Sequence, residues 1–314
     1  MSIVIRPSDV ETPLDPVRLF GREGPLVLEV GFGNGEFLTH LAERFQDWNI
    51  LGADTSPSSV VRARKRIRRG SFENIRLYSG DARYVVRNMV AAAGLHRAYV
   101  LFPDPWPRRR HAPRRLLSSA FLTLLASRLT TDGVLSLTTD HLDYFEFARQ
   151  SVAATGLFRE EVGEPPTEML ETRWARRWLD QDRPIYHALF CKTADPPKIP
   201  GRQEKTDMQH ALMRGDLSTV ARFEKEAYVR DGATIVLADA YRSLDGSAMI
   251  FLAMVEEDDL HQNVVIEARP KGEDILIGVT KFGKPLSTRG LNQAVSCVAE
   301  YLASQGLEVL ESRY

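Results

Sequence analysis

Between Leu26 and Cys191, short apolar runs alternate with segments whose apolar residues recur at helical spacing, and this alternation limits the fold more than any other feature. Strands are predicted over Leu26–Val30, Ile50–Ala53, Ile75–Tyr78, Ala98–Phe102, Val134–Thr138 and Ile185–Cys191. Helices are predicted over Gly35–Phe45, Pro57–Arg69, Arg83–Ala93, Leu116–Leu129 and Tyr144–Thr155. Parallel strands need a crossover between them, and a helix after each strand supplies it. The expected class is therefore α/β, a doubly wound Rossmann-like sheet with helices on both faces. The pattern stops at Ala194-Asp-Pro-Pro-Lys-Ile-Pro-Gly201, where three prolines and a glycine read as a linker.

Beyond the linker the rhythm changes. A helix is predicted over Met208–Ala227, then strands over Thr234–Ala240, Met249–Val255, Val264–Ala268 and Ile275–Thr280. Lys271–Asp274 suits a hairpin turn, and Arg289–Ser304 has helical spacing through Leu291, Val295, Val298 and Leu302. This is a smaller α+β domain with a mostly antiparallel sheet. The expected division is 1–193 for the first domain, 194–201 for the linker and 202–314 for the second. No role can be read for the second domain, which is a candidate surface for homo-oligomer contacts.

The net charge of −1 conceals an asymmetry. Residues 1–195 carry 27 Lys and Arg against 24 Asp and Glu, whereas residues 196–314 carry 14 against 18. The positive charge clusters in Arg62–Arg69, in Arg108–Arg115 and around Arg173, Arg176 and Arg177, which points to nucleic acid. Cys191 and Cys297 are the two cysteines, far apart and outside any CxxC pattern, so neither a disulfide framework nor a metal site is expected. No apolar run approaches the length of a membrane span, and Met1–Pro16 does not read as a signal peptide. A cytoplasmic protein is expected.

Leu26-Val-Leu-Glu-Val-Gly-Phe-Gly-Asn-Gly35 is a strand entering a turn with glycines at alternate positions, Gly31, Gly33 and Gly35. Such a turn lets backbone approach a ligand closely at a strand's carboxyl end. The spacing is GxGxG, not the GxGxxG of dinucleotide binders. Glu29, just before it, would repel a pyrophosphate but suit a cationic ligand. Asp54 ends the second predicted strand, where a carboxylate can accept from both hydroxyls of a ribose. Asp81 follows the third, where an adenine amino group could be met. An adenosyl sulfonium asks for this set of acids and glycines.

The fourth strand runs into Pro103-Asp-Pro-Trp-Pro-Arg-Arg-Arg-His-Ala-Pro-Arg-Arg115. Here a carboxylate expected to be buried, an indole suited to stacking on bases and five arginines suited to phosphates share one proline-stiffened loop. With Glu29–Gly35, Pro103–His111 and Leu137-Thr-Thr-Asp140, residues 1–193 resemble the tRNA (guanine-N7-)-methyltransferase family. The resemblance implies the S-adenosylmethionine-dependent methyltransferase form of the fold and methyl transfer to N7 of a guanine in tRNA, the variable-loop guanine. It implies that Glu29, Asp54, Asp81 and Asp104 bind the cofactor with the glycine turn, and that Asp104 is also catalytic. Arg108, Asp140 and Thr172 would meet the substrate. Relatives carry a glutamate three residues after that threonine, where this chain has Ala175.

Guanine N7 has a lone pair, so the reaction needs no general base. Two other readings stay open. Pro103-Asp-Pro-Trp106 also resembles the Asp-Pro-Pro-aromatic motif of amino-group methyltransferases, although a single Asp-Pro followed by Trp and arginines departs from it. Ala175 alone would suit a degenerate methyltransferase fold kept as an RNA-binding scaffold.

Overall fold

In the computed structural model, residues 2–201, 209–220, 222–257 and 259–313 are described. The chain divides into two compact units, Met1–Arg202 and Gln203–Tyr314.

The first unit is built on a sheet of β1 (Val4–Ile5), β2 (Leu26–Val30), β3 (Asn49–Asp54), β4 (Ile75–Ser79), β5 (Leu95–Leu101), β6 (Leu129–Thr139), β7 (Phe158–Gly163) and β8 (Tyr186–Lys192). Their spatial order is β1-β4-β3-β2-β5-β6-β8-β7. The first six are parallel, and β8 lies antiparallel between β6 and β7. This is the doubly wound sheet expected. The chain moves outward from β2 to β3 and β4, then returns to lay β5 on the other side of β2. The crevice beyond the ends of β2 and β5 is thus the topological switch point, where sheets of this kind bind ligands.

Connecting helices are α1 (Pro16–Phe20), α2 (Glu36–Arg44), α3 (Pro57–Arg69), α4 (Ala82–Tyr84), α5 (Ser119–Ala126), α6 (Leu142–Thr155), α7 (Thr167–Leu170) and α8 (Arg173–Leu179). Local chemistry sets their starts. Ser56 accepts from Ser59 N and Pro57 stands at the first helical position of α3. Phe37, Leu38 and Leu41 of α2 and Val60, Ala63 and Ile67 of α3 pack with Val27, Ile50, Ile75 and Leu77 of the sheet. Burial on both faces explains why the central strands read as continuous apolar runs.

Two helices differ from expectation. Arg83–Ala93 is a single α-turn, capped by Asp81, that passes into a π-turn over Val85–Met89 closed by Val90 N on Val85 O. The helix predicted from Leu116 starts at Ser119, because Ser118 accepts from Phe121 N and caps it. Strand β7 was not legible either, since Arg159, Glu160 and Glu161 give it the polarity of an exposed sheet edge.

The second unit has one sheet in the order β10-β11-β12-β13-β14-β9-β15, antiparallel throughout. The strands are β9 (His210–Arg214), β10 (Glu226–Arg230), β11 (Ala233–Arg242), β12 (Met249–Glu257), β13 (Leu260–Lys271), β14 (Asp274–Val279) and β15 (Glu308–Arg313). The Lys271–Asp274 turn joins β13 to β14 with those two residues paired. Helix α9 (Arg289–Ser304) buries Leu291, Val295, Val298 and Leu302 completely against one face.

The helix predicted over Met208–Ala227 is absent. Among the described residues of that span, His210–Arg214 is β9, Leu217–Thr219 is a short 3-10 turn and Glu226 opens β10; Met208 and Ala221 lie outside the described residues. Ala211 and Met213 are buried while Leu212 is not, which is the two-residue period of a strand. Gly215 at φ 146 and the Asp216 cap then break the chain's direction.

Candidate active site

The glycine turn is held open by its neighbours. Gly31, Gly33 and Gly35 have φ of 75, 56 and 78°, in the left-handed region where a side chain would be strained. A Cβ on Gly31 or Gly33 would meet nothing, so these two face open space, whereas one on Gly35 would come within 2.8 Å of the Ala63 Cβ. Two glycines therefore leave room for a ligand and the third lets α2 close on α3. Gly31 N donates to Ala53 O at 2.8 Å, and Gly33 N donates to Asp54 Oδ2 at 2.9 Å. Asp54 Oδ1 accepts from Ser56 N. The turn after β2 and the end of β3 thus form one hydrogen-bonded unit.

Glu29 lies at the floor of this unit, 3% exposed, with its Oε2 buried and without a partner. Burial, and then the nearby Asp54 charge, push its carboxyl up to about 8. Burial also raises Asp54, against the lowering effect of its two backbone donors. An orphaned carboxylate oxygen at a glycine cradle fits a cationic, hydrogen-bond-donating group. Glu29, Gly31 and Gly33 line the crevice together with Phe37, Phe102 and Thr172. Asp81 stands at the neighbouring strand end, where it accepts from Arg83 N at 2.7 Å and faces the Arg83 guanidinium.

The other expected residues lie toward β5 and β6. Asp104 is exposed, not buried as expected: the turn carries it out of the sheet between Phe102 and Trp106, both at positive φ. Arg115 braces that turn by donating to the carbonyls of Pro105 and Trp106. Arg108 is exposed at the start of the following 3-10 segment, and the Arg114 guanidinium lies 5.0 Å from the Trp106 ring. Asp140 follows β6 directly, but its Oδ2 is held by Arg183 Nη1 at 2.8 Å. It does not cap α6, a task that falls to His141. Thr172 caps α8 by accepting from Ala175 N and also donates to Met169 O. Ala175 is completely buried.

Three contacts were invisible in the sequence. Glu36 accepts from Arg173 N at 2.6 Å and pairs with Arg66 and Arg176, tying α8 to α2 and α3 over the crevice. Its only signal was a place in the first turn after the glycines. Arg183 reaches Asp140 from 43 residues away with no motif around it. Trp174 joins the crevice wall from the same distant segment. Among the described residues, no cluster of three or more His, Cys, Asp or Glu could hold a metal ion, and no helix is long and apolar enough to cross a membrane.

A family model described as "Putative methyltransferase" matches residues 23–188. A tRNA (guanine-N(7)-)-methyltransferase of Thermus thermophilus is 42% identical, covering 93% of this chain and 94% of its own. Proteins of the same name from Deinococcus radiodurans and Thermotoga maritima are 35% and 27% identical, over 99% and 94% of this chain and 100% and 94% of theirs. Alignments of that length take in most of the second unit, for which the sequence had suggested no relative.

Proposed function

This chain belongs to the tRNA (guanine-N7-)-methyltransferase family, and from that premise we propose that it transfers the methyl group of S-adenosylmethionine to N7 of a guanine in tRNA, the variable-loop guanine. The observation that carries the reading is the buried, partnerless Glu29 oxygen beneath an open glycine cradle at the switch point.

When bound, S-adenosylmethionine supplies an electrophilic methyl group on a sulfonium. Glu29 ionises to meet the positive end of the ligand, and Gly31 and Gly33 admit it against the backbone. Asp54 would accept from the ribose hydroxyls, and Asp81 from the adenine amino group. On the substrate side, Asp140 gives up Arg183 and accepts from the guanine N1 and N2 hydrogens. That contact orients the base and stabilises the positive charge that develops on the purine. Asp104, exposed on its stiff loop, would meet the cofactor and the base together. Alignment of N7 with the methyl group supplies most of the acceleration, and no proton has to leave N7. Arg108 and its neighbours hold phosphates. Ala175 leaves no carboxylate to assist from α8, so Asp104 and Asp140 carry that work. Thr172 serves by fixing the start of α8 at the crevice.

Incubation with bulk tRNA and methyl-labelled S-adenosylmethionine, followed by nucleoside analysis, tests the proposal. Label in N7-methylguanosine is expected. Label in an amino-methylated nucleoside, or intact cofactor binding with no transfer, would refute it.

A further inference from the structure

We propose that α8 carries a stacking platform for a single-stranded nucleobase of the tRNA, made of Trp174 and Trp178 laddered with arginines. The two indoles are one helical turn apart and so share a face. Their centroids are 5.9 Å apart with planes inclined by 21°. The Arg177 guanidinium lies 5.5 Å from one ring and 5.3 Å from the other, Arg173 lies 5.8 Å from Trp174, and Arg183 only 4.3 Å from Trp178. The far end of the ladder is the Arg183 pair with Asp140, and the near end is Trp174 in the wall of the glycine crevice. It therefore runs from the carboxylate assigned to the guanine to the place assigned to the cofactor. Its position beside the target base rests on that assignment, whereas its binding of RNA does not.

Local packing accounts for Trp178, which is half-buried, but not for Trp174, which is 44% exposed. Arg173 and Arg177 have no carboxylate partner among the described residues, so the face that offers an open ring also offers uncompensated positive charge. A ring face beside guanidinium groups matches a base and its phosphate, whatever the base. Glu36 holds the first turn of α8 by Arg173 N and Arg176, so the platform is fixed before RNA arrives.

Trp174→Ala and Trp174→Phe test the platform, with tRNA affinity, steady-state kinetics and S-adenosylhomocysteine calorimetry as readouts. The alanine variant should weaken tRNA binding about ten- to a hundredfold, the loss of one stacked base. KM for tRNA should rise more than kcat falls, cofactor affinity should fall less than tRNA affinity, and phenylalanine should restore most of the loss. Short single-stranded RNA should quench tryptophan fluorescence in a Trp106→Phe background and quench it much less once Trp174 is also replaced. Unchanged tRNA affinity in Trp174→Ala, or an equal loss of cofactor affinity, overturns the platform. Weakened tRNA binding in Trp174→Ala with full turnover in Asp140→Asn keeps the platform but overturns its place beside the guanine.

Discussion

Glu29 and Asp104 are both carboxylates assigned to the cofactor, yet one is sealed at the end of a central strand and the other stands in solvent on a proline-rich turn. Around Glu29 every neighbour is already in place: Gly33 on Asp54, Gly31 on Ala53, α2 on α3. Around Asp104 and Asp140 the arrangement is provisional, with the first exposed and the second occupied by Arg183. The contrast teaches that the fold builds the proposed small-molecule side by itself and leaves the proposed base side open. A buried, unsatisfied carboxylate is costly, and a bound cation removes the cost. An exposed or already paired carboxylate costs little while it waits.

The sharpest break of that comparison is Asp140→Asn. Turnover should fall by roughly two to three orders of magnitude, the scale for losing one preorganised electrostatic group. S-adenosylhomocysteine affinity, measured by calorimetry, should hold. A loss of cofactor affinity instead would merge the two sides.

Glu29→Gln probes the sealed side through pH. Without ligand, Glu29 is favoured neutral below about 8, and a cationic ligand favours the ionised form. Wild-type cofactor affinity should therefore climb by up to about tenfold per pH unit below that value, and the variant should be flat. The ligand-free protein should behave in the opposite sense. With the folded pKa raised from 4.5 to about 8, stability falls as the pH rises through that window, and melting of Glu29→Gln should not follow it.

Double replacement of Arg108 and Arg110 by alanine addresses the waiting side. Each phosphate-binding guanidinium removed should lower the log–log salt slope of tRNA binding by roughly 0.7 to 0.9. An unaltered slope with reduced activity would make the loop part of the cofactor site. The smallest effect is expected from removing the second unit. A fragment ending at Arg202 should fold and bind S-adenosylhomocysteine within about twofold of the whole chain, since the crevice is lined by residues of the first unit alone. An insoluble fragment would show that the units share a core.

What the sequence made legible follows the same contrast. Glu29, the three glycines and Asp54 could be placed because a strand, a turn and the next strand end lie in register along the chain. Arg183 and Trp174 could not, because their partners are separated from them by strands and helices whose packing no local pattern encodes. The burial expected of Asp104 failed for a different reason: proline and positive φ on either side turn the loop outward, and no composition rule gives its direction. In the second unit, β9 was mistaken for a helix because a five-residue strand offers too few alternations to outweigh the helix-forming Ala, Leu and Met within it.

The place of β8 between β6 and β7 has a consequence for synthesis. Strand β7 leaves the ribosome before β8, yet its ladder is made with β8 alone. Until Lys192 has emerged, Phe158–Gly163 must wait with its backbone donors and acceptors unpaired, a segment that another nascent chain could add to. Arg159, Glu160 and Glu161 blunt that edge, since a strand added to it would have to desolvate their charged side chains. The polarity that hid this strand in the sequence is what keeps it soluble while it waits for its neighbour.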